Sequence, residues 1–374
     1  MEIYLDNAAT TKPCPEAVAA MTEALNTNWG NPSAVHSRGF LAEKAVKKAR
    51  EQTASALGCS PDRVFFSSGG TEGDNFAIFS TARSRGKRGR HLITTAVEHH
   101  AVLNPMKALE EQGFSVTYLV PGPDGTISPK QLMDALRKDT ILVSIMMVNN
   151  ETGAVNDIAT LARLTHQRSG ALFHTDAVQG FFKVPFRASS LGADLISVSS
   201  HKIHGPKGVG AVYMDKNLHL PPFVYGGGQE KGLRSGTENV PGIVGFGAAC
   251  EAGSRDLREK LRHMEDLKAH LLQELGRLVP EAEILGSHQA PHVVSLAVAG
   301  IRSQGLIGCL EEREIYVSAG SACSKGHRSH VLEAIGIPGA LIDGAIRVSL
   351  CPENTMDEID RFVSALREAV DRLK

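Results

Sequence analysis

The chain has 374 residues, 42% hydrophobic and 22% charged, an ordinary globular composition that excludes a disordered or low-complexity protein and at this length favours two domains. Basic and acidic residues number 40 and 41, for a net charge of −1, so no global field draws the chain onto nucleic acid or an anionic membrane. No apolar run approaches the roughly 20 residues of a membrane span, and the start MEIYLDNAATTKP lacks the basic and apolar regions of a secretory signal, which points to the cytoplasm.

In chain order, residues 40–57 have the pattern of an amphipathic helix stopped by Gly58, and RVFFSS is a short apolar strand running into a Gly-Gly-Thr turn. EGDNFAIFSTARSR is helical, HLITTAV a strand, AVLNPMKALEEQG a helix and SVTYLV a strand. Ser-Pro opens a helix at SPKQLMDALRK, and TILVSIMMV suits the centre of a parallel sheet. IATLARLTHQRSG is a helix; ALFHTDA, DLISVSS and GVGAVYM are strands. This alternation predicts an α/β sheet covered on both faces. One long helical stretch is expected from about Gly242 to Leu278. HVVSLAV, IYVSAG and AIRVSLC then read as strands, with helices at SQGLIGCLEE, SHVLEAIG and MDEIDRFVSALREAV. The expected division is a large α/β domain, 15–255, and a small α+β domain made of 1–14 and 256–374.

The chemistry gathers just past strand ends. DLISVSS delivers Ser199 and His201 to Lys202, and a lysine at the carboxyl edge of an α/β sheet sits where ligands bind and can form a Schiff base with a carbonyl cofactor. Its bland alternative is a solvated surface lysine. HTDAVQ ends a strand at Asp176, with Gln179 beyond it; such an aspartate either caps the next helix or holds a protonated pyridine nitrogen. The Gly-Gly-Thr turn at Gly70 and Thr71 opens a helix whose amides form a phosphate cup. His99 follows another strand and can stack on an aromatic ring or shuttle protons. Asn150 follows TILVSIMMV and can bond a phenolate oxygen. Each element alone has an ordinary explanation. Together they describe one site for a phosphorylated pyridine aldehyde, pyridoxal 5′-phosphate.

The motifs YLDNAATT, GNPSAVHSRG, SSGGTEGDN, VEHHAVLN, VNNETG, HTDAVQ, SHKIHGPKG, GGGQEKGLRSGTEN, SAGSACS and IRVSL occur in this order along nearly the whole chain. In them the chain resembles the cysteine desulfurases of the NifS/IscS kind, within the fold-type I (aspartate aminotransferase-like) superfamily of pyridoxal-phosphate enzymes. The resemblance implies that Lys202 carries the cofactor, Asp176 faces its ring nitrogen, Gln179 and Asn150 flank its phenolate oxygen, and His99 stacks on its ring. It implies that Gly70, Thr71, Ser199 and His201 hold the phosphate, and that Thr237 reaches the phosphate of the other subunit of a homodimer. Arg347 is implied as the clamp for the substrate carboxylate, which suits a bidentate guanidinium, and Asn31 lies in the substrate-side loop. The implied reaction converts L-cysteine to L-alanine and passes the sulfur to an acceptor protein, for iron–sulfur cluster assembly or for tRNA or cofactor thiolation.

Six cysteines, at 14, 59, 250, 309, 323 and 351, are scattered without a Cys-x-x-Cys pair, so reduced thiols are expected. Cys323, in a Gly/Ser-rich segment with Lys325, His327, Arg328 and His330 nearby, has the electropositive setting that favours thiolate; by resemblance it is the nucleophile that takes the sulfur. Its loop, SKGHRSHVL, is shorter and more basic than the family's. Cys351 stands where the family usually has glycine. Three rivals are a selenocysteine lyase on the same fold, an ordinary aminotransferase, and a metal-binding scaffold suggested by HKIH at 201–204 and HRSH at 327–330. No cysteine or carboxylate cluster accompanies either histidine pair in the sequence, so no metal is expected.

Overall fold

The computed structural model describes residues 2–287, 289–319 and 328–374. Its main sheet has seven strands in the order Val64–Ser67, Gly210–Met214, Leu195–Ser199, Leu172–Asp176, Thr140–Ser144, His91–Thr95, Ser115–Leu119. From Leu195–Ser199 to Ser115–Leu119 every pairing is parallel, whereas Gly210–Met214 runs against both of its neighbours. The inner strands are buried at every position, as a sheet covered on both faces requires. Adjacent residues alternate between two cores: Ile93, Val143, Phe173 and Ile196 pack with Val46, Ile243 and Phe246. Leu92, Leu142, Leu172 and Leu195 pack with Phe76, Ile78 and Met106, as a side-chain period of two dictates.

Helix ends follow local chemistry. Ser37–Leu57 stops at Gly58, whose φ of 68° places it in the left-handed region. Pro129–Ala135 begins with a capping box between Ser128 and Gln131. His99 caps His100–Glu111 with its own ring, Nδ1 accepting from the Ala101 amide at 3.1 Å.

A second, antiparallel sheet has the order Ser318–Ala319, Ile346–Ser349, Val293–Val298, Ala282–Leu285. Its core joins Val294, Leu296 and Ile346 to Leu267 and Leu271 of Leu257–Leu278, Leu306 of Ser303–Glu311, and Phe362 and Leu366 of Met356–Leu373. Ile3 and Leu5 belong to the same core, because Ile3–Tyr4 pairs parallel with Ile315–Tyr316.

Two expected elements divide. The single helical stretch from Gly242 to Leu278 is two helices, Val240–Ser254 and Leu257–Leu278, separated where Arg255 turns extended and Asp256 takes φ 51°. The break is a change of partner: Phe246 and Cys250 pack into the main core, whereas Leu267 and Leu271 pack into the second. IYVSAG likewise supplies two strands to different sheets, Ile315–Tyr316 and Ser318–Ala319. TILVSIMMV leaves the ladder after Ser144, although Ile145 and Met147 still donate to the His174 and Asp176 carbonyls at 3.1 and 2.9 Å.

Candidate active site

The carboxyl ends of Val64–Ser67, His91–Thr95, Thr140–Ser144, Leu172–Asp176 and Leu195–Ser199 open toward one cavity of about 290 Å³. Its lining includes Lys202, His99, Asp176, Gln179, Asn150, Gly70, Thr71, Ser199, His201 and Arg347.

Asp176 ends its strand almost fully buried, and its Oδ1 accepts from the Val178 amide at 2.8 Å. Burial, reinforced by the neighbouring Asp74 carboxyl, pushes it up to about 7. Asp74, on the helix Gly70–Arg85, is equally buried and pushed up to about 7 by burial. Beneath both carboxyls the His174 ring spans Ser144 Oγ at 2.8 Å and Ser197 Oγ at 3.0 Å, and burial holds it down to about 4. The floor is therefore a buried acid pair over a neutral imidazole. Asp74 Oδ1 lies 3.4 Å from His174 Nε2 yet has no hydrogen-bond partner.

Lys202 ends the short helical turn Ser200–Lys202, and its ammonium donates to the Ala8 and Ala9 carbonyls at 2.6 and 2.7 Å. The N-terminal segment thus forms one wall of the cavity. Gln179 also donates to the Ala8 carbonyl, at 2.8 Å, and its Oε1 meets His292 Nε2 at 3.2 Å. Opposite, Gly69 has φ 152° and Gly70 opens the helix Gly70–Arg85. A Cβ on Gly70 would stand 2.6 Å from Val178 Cγ2, so the close approach of turn and strand end requires glycine. The first amides of that helix have no intrahelical acceptor and, with Thr71, Ser199 and His201, face the cavity. His201 is held down to about 4 by burial, with the Lys202 charge adding to it.

His99 is held down to about 4 by burial, then by the Lys202 charge. Because its Nδ1 accepts from Ala101, its proton resides on Nε2. Arg347, on the strand Ile346–Ser349 of the second sheet, is 2% exposed. Its guanidinium bonds Asp6 Oδ1 at 2.8 Å and the Asn150 carbonyl at 3.0 Å, while its buried Nε has no partner among the described residues.

Asn31 and Thr237 are not brought to the cavity. Both are exposed, and Asn31 spends its Oδ1 on the Ser33 amide at 2.9 Å within its own loop. Cys323 lies outside the described residues. Five titratable lining residues were not anticipated as site residues: Asp74, described above, and Glu98, Glu151, His100 and His330. Glu98 is buried, raised well above the ordinary carboxyl range by burial, and leaves Oε2 without a partner. Glu151 is pushed up to about 7 by burial and bonds the Ser329 hydroxyl. The His100 and His330 rings meet at a tilt of 38° with centroids 5.0 Å apart, and His330 Nε2 meets the Glu98 carbonyl at 3.1 Å. Glu98 and His100 lie in VEHHAVLN and Glu151 in VNNETG, beside residues already singled out, and His330 ends the HRSH pair.

The model of the aminotransferase class-V family matches residues 3–362. The chain belongs to the class-V aminotransferase family. It is 40% identical over 376 residues to the cysteine desulfurase IscS of Methanosarcina thermophila, covering 100% of this chain and 93% of that protein. It is 42% identical to a cysteine desulfurase of Trichormus azollae, covering 100% of this chain and 94% of the other. A solved structure titled NifS-like protein superposes with a TM-score of 0.94 at 39% identity, covering 100% of both chains. Class-V aminotransferases are enzymes that use pyridoxal 5′-phosphate. The cavity fits that group: orphan helix amides and hydroxyls suit a phosphate, the buried carboxyl pair suits a ring nitrogen, and a lysine amine stands beside them.

Proposed function

We propose that this protein is a cysteine desulfurase, in which L-cysteine and an acceptor thiol become L-alanine and a persulfide. The observation that carries this reading is the convergence of Lys202, Asp176 and Arg347, from three separate elements, on one cavity. Relatives that bear the name cysteine desulfurase and match the whole chain support it.

When bound, pyridoxal 5′-phosphate draws electrons from the substrate's α-carbon and so loosens first the α-proton and then the β-sulfur. Gly70, Thr71, Ser199 and His201 would hold its phosphate, Asn150 and Gln179 would bond its phenolic oxygen, and Asp176 would pair with its ring nitrogen. Lys202 would anchor the group and serve as the base for the substrate's α-proton; the Ala8 and Ala9 carbonyls hold its amine at the cavity wall. Arg347 takes the substrate carboxylate: Asp6 and Asn150 already orient its guanidinium, and Nε has no other partner. His99, neutral at physiological pH, passes protons to and from the substrate thiol through Nε2. The Cys323 thiolate forms an S–S bond as the Cβ–S bond breaks; the bonding pair stays with carbon, which takes up a proton and leaves as alanine.

The persulfide then passes to an acceptor protein, in iron–sulfur cluster assembly or in tRNA or cofactor thiolation. The working form is a cytoplasmic homodimer. Trp29, Val35 and Phe40 are exposed apolar side chains flanking Asn31, and Thr237 is exposed as a residue acting across subunits would be. Among the described residues no helix is long and apolar enough to cross a membrane. The two main cores and the break between their helices at Asp256 support a division into 15–255 and 1–14 with 256–374.

The test is alanine formation from L-cysteine and L-selenocysteine by the wild type and by Cys323→Ala. Loss of the cysteine activity alone is expected. Retention of both activities would refute a persulfide on Cys323 and favour a selenocysteine lyase.

A further inference from the structure

A second cavity, of about 310 Å³, adjoins the turn that carries Lys202 and is lined by Cys14, Phe182, Lys183, His204, Lys260 and Glu353 among others. Two side chains unused by the reaction, His204 and Glu353, line it, and Cys351 lies beside them. His204 Nε2, Cys351 Sγ and a Glu353 carboxylate oxygen all lie within 4.8 Å of one another. His204 holds φ 63°, a left-handed conformation uncommon outside glycine. It is secured there by its amide donating to Thr11 Oγ1 at 2.7 Å and its carbonyl accepting from the Cys14 amide at 2.8 Å. Its Nδ1 meets the Lys12 carbonyl at 3.1 Å. A carbonyl can only accept, so Nδ1 carries the proton and Nε2 presents a lone pair. That Nε2 is buried without a hydrogen-bond partner among the described residues, although Glu353 Oε2 comes within 3.3 Å of it. A backbone carbonyl that fixes the tautomer while the other nitrogen faces a thiol and a carboxylate is the arrangement around metal-bound histidines.

We propose that His204, Cys351 and Glu353 form a site for a divalent transition metal of the zinc type, with its fourth position open to the second cavity. Imidazole, thiolate and carboxylate are the ligand set zinc takes, and ligand atoms in a tetrahedral site stand roughly 3.3–3.8 Å apart, given its bond lengths; His204 Nε2 and Glu353 Oε2, 3.3 Å apart, already meet this, and Cys351 Sγ needs to draw in by at most about 1 Å. On binding, the Cys351 thiol loses its proton to solvent as the sulfur–metal bond forms; no electrons are transferred. In the metal-free protein burial and the Glu353 carboxylate push that thiol up to about 12, a preference that a coordinated dication reverses. Thiolate and carboxylate together neutralise the ion. The buried Lys183 faces both Cys351 and Glu353 and competes with the metal for their charge; Lys183 and Lys260 also face His204.

The sequence concealed this set because His204 lies mid-chain, far from Cys351 and Glu353. His201 of the HKIH pair faces the first cavity and His204 the second. Cys351 and Glu353 follow the strand that carries Arg347. A bound ion would therefore clasp the Lys202 turn to the exit of the Arg347 strand.

The experiment titrates the holoenzyme with Co²⁺, in a Cys323→Ala background that removes the competing thiol, and follows the tetrahedral d–d bands at the red end of the spectrum, clear of cofactor absorption. One equivalent of Co²⁺ should develop these bands, and Zn²⁺ should bleach them. Cys351→Ser should abolish them, Glu353→Gln should weaken binding roughly 10- to 100-fold, and Lys183→Met should tighten it. Absence of the bands, or their persistence in Cys351→Ser, overturns the proposal. Should Cys351→Ser fail to fold, unchanged affinity in Glu353→Gln, a substitution at an exposed position, overturns it equally.

Discussion

Replacing Asp74 by asparagine should stabilise the cofactor-free protein, and more so as pH rises. Asp74 and Asp176 share the buried floor of the cavity, each pushed up to about 7 from an ordinary 3.8. A carboxyl raised above its unfolded value binds its proton more tightly in the native state. Between about pH 4 and pH 7 the native protein therefore holds protons the unfolded chain has released, and stability falls as pH climbs through that window. Each unit is worth about 1.36 kcal/mol, so the span from pH 5 to about 7 costs roughly 3 kcal/mol through Asp74 alone. Asp74→Asn removes that dependence at nearly unchanged shape and relieves Asp176 of a like charge. Urea unfolding of both cofactor-free proteins at pH 5, 6, 7 and 8 measures the gap between them. The gap should widen toward pH 8 by roughly 3 kcal/mol. A gap that stays constant with pH would show that the two carboxyls do not titrate as a buried pair.

Lys202→Ala should lower alanine formation from L-cysteine by roughly 10²–10⁴-fold or more, the usual worth of a positioned base, and should change the visible absorption of the bound cofactor; wild-type turnover would contradict its role. Arg347→Gln should raise KM for L-cysteine by roughly 10- to 100-fold, as expected for one charge-assisted pair of about 1.5–3 kcal/mol. It should also lower Tm, because Asp6 loses its buried partner; an unchanged KM would remove Arg347 from carboxylate binding. Ser329→Ala deletes the cap of the helix His330–Ala334 and the contact to Glu151, and should cost about 1 kcal/mol of stability in chemical denaturation. Gly58→Ala forces a Cβ to within 3.0 Å of Arg187 Cβ at φ 68° and should destabilise by about 1 kcal/mol or more; equal unfolding midpoints would argue against the left-handed cap.

The sequence alone determined the elements whose cause is local. The strands Leu172–Asp176 and Leu195–Ser199, the Ser-Pro entry at Ser128 and the Gly58 stop follow from propensity and capping, and each reappears where the pattern puts it. The site was legible to the same degree. Strand ends in a parallel sheet share an edge, so polar residues just beyond them, Asp176, Asn150, His99 and Lys202, had to meet. Only the tertiary structure decided what depends on contacts distant along the chain. It split the stretch from Gly242 to Leu278 at Asp256, because its two halves bury against different cores. It buried Asp74 beside Asp176, a placement that arises only when a helix and a strand pack; burial raises both carboxyls, and the Asp74 charge adds to the rise at Asp176. It also carried Cys351 and Glu353 to His204. Helical or strand periodicity reports the environment of a residue's own segment; proximity between segments is set by which apolar faces pack together, and that is a property of the assembled core.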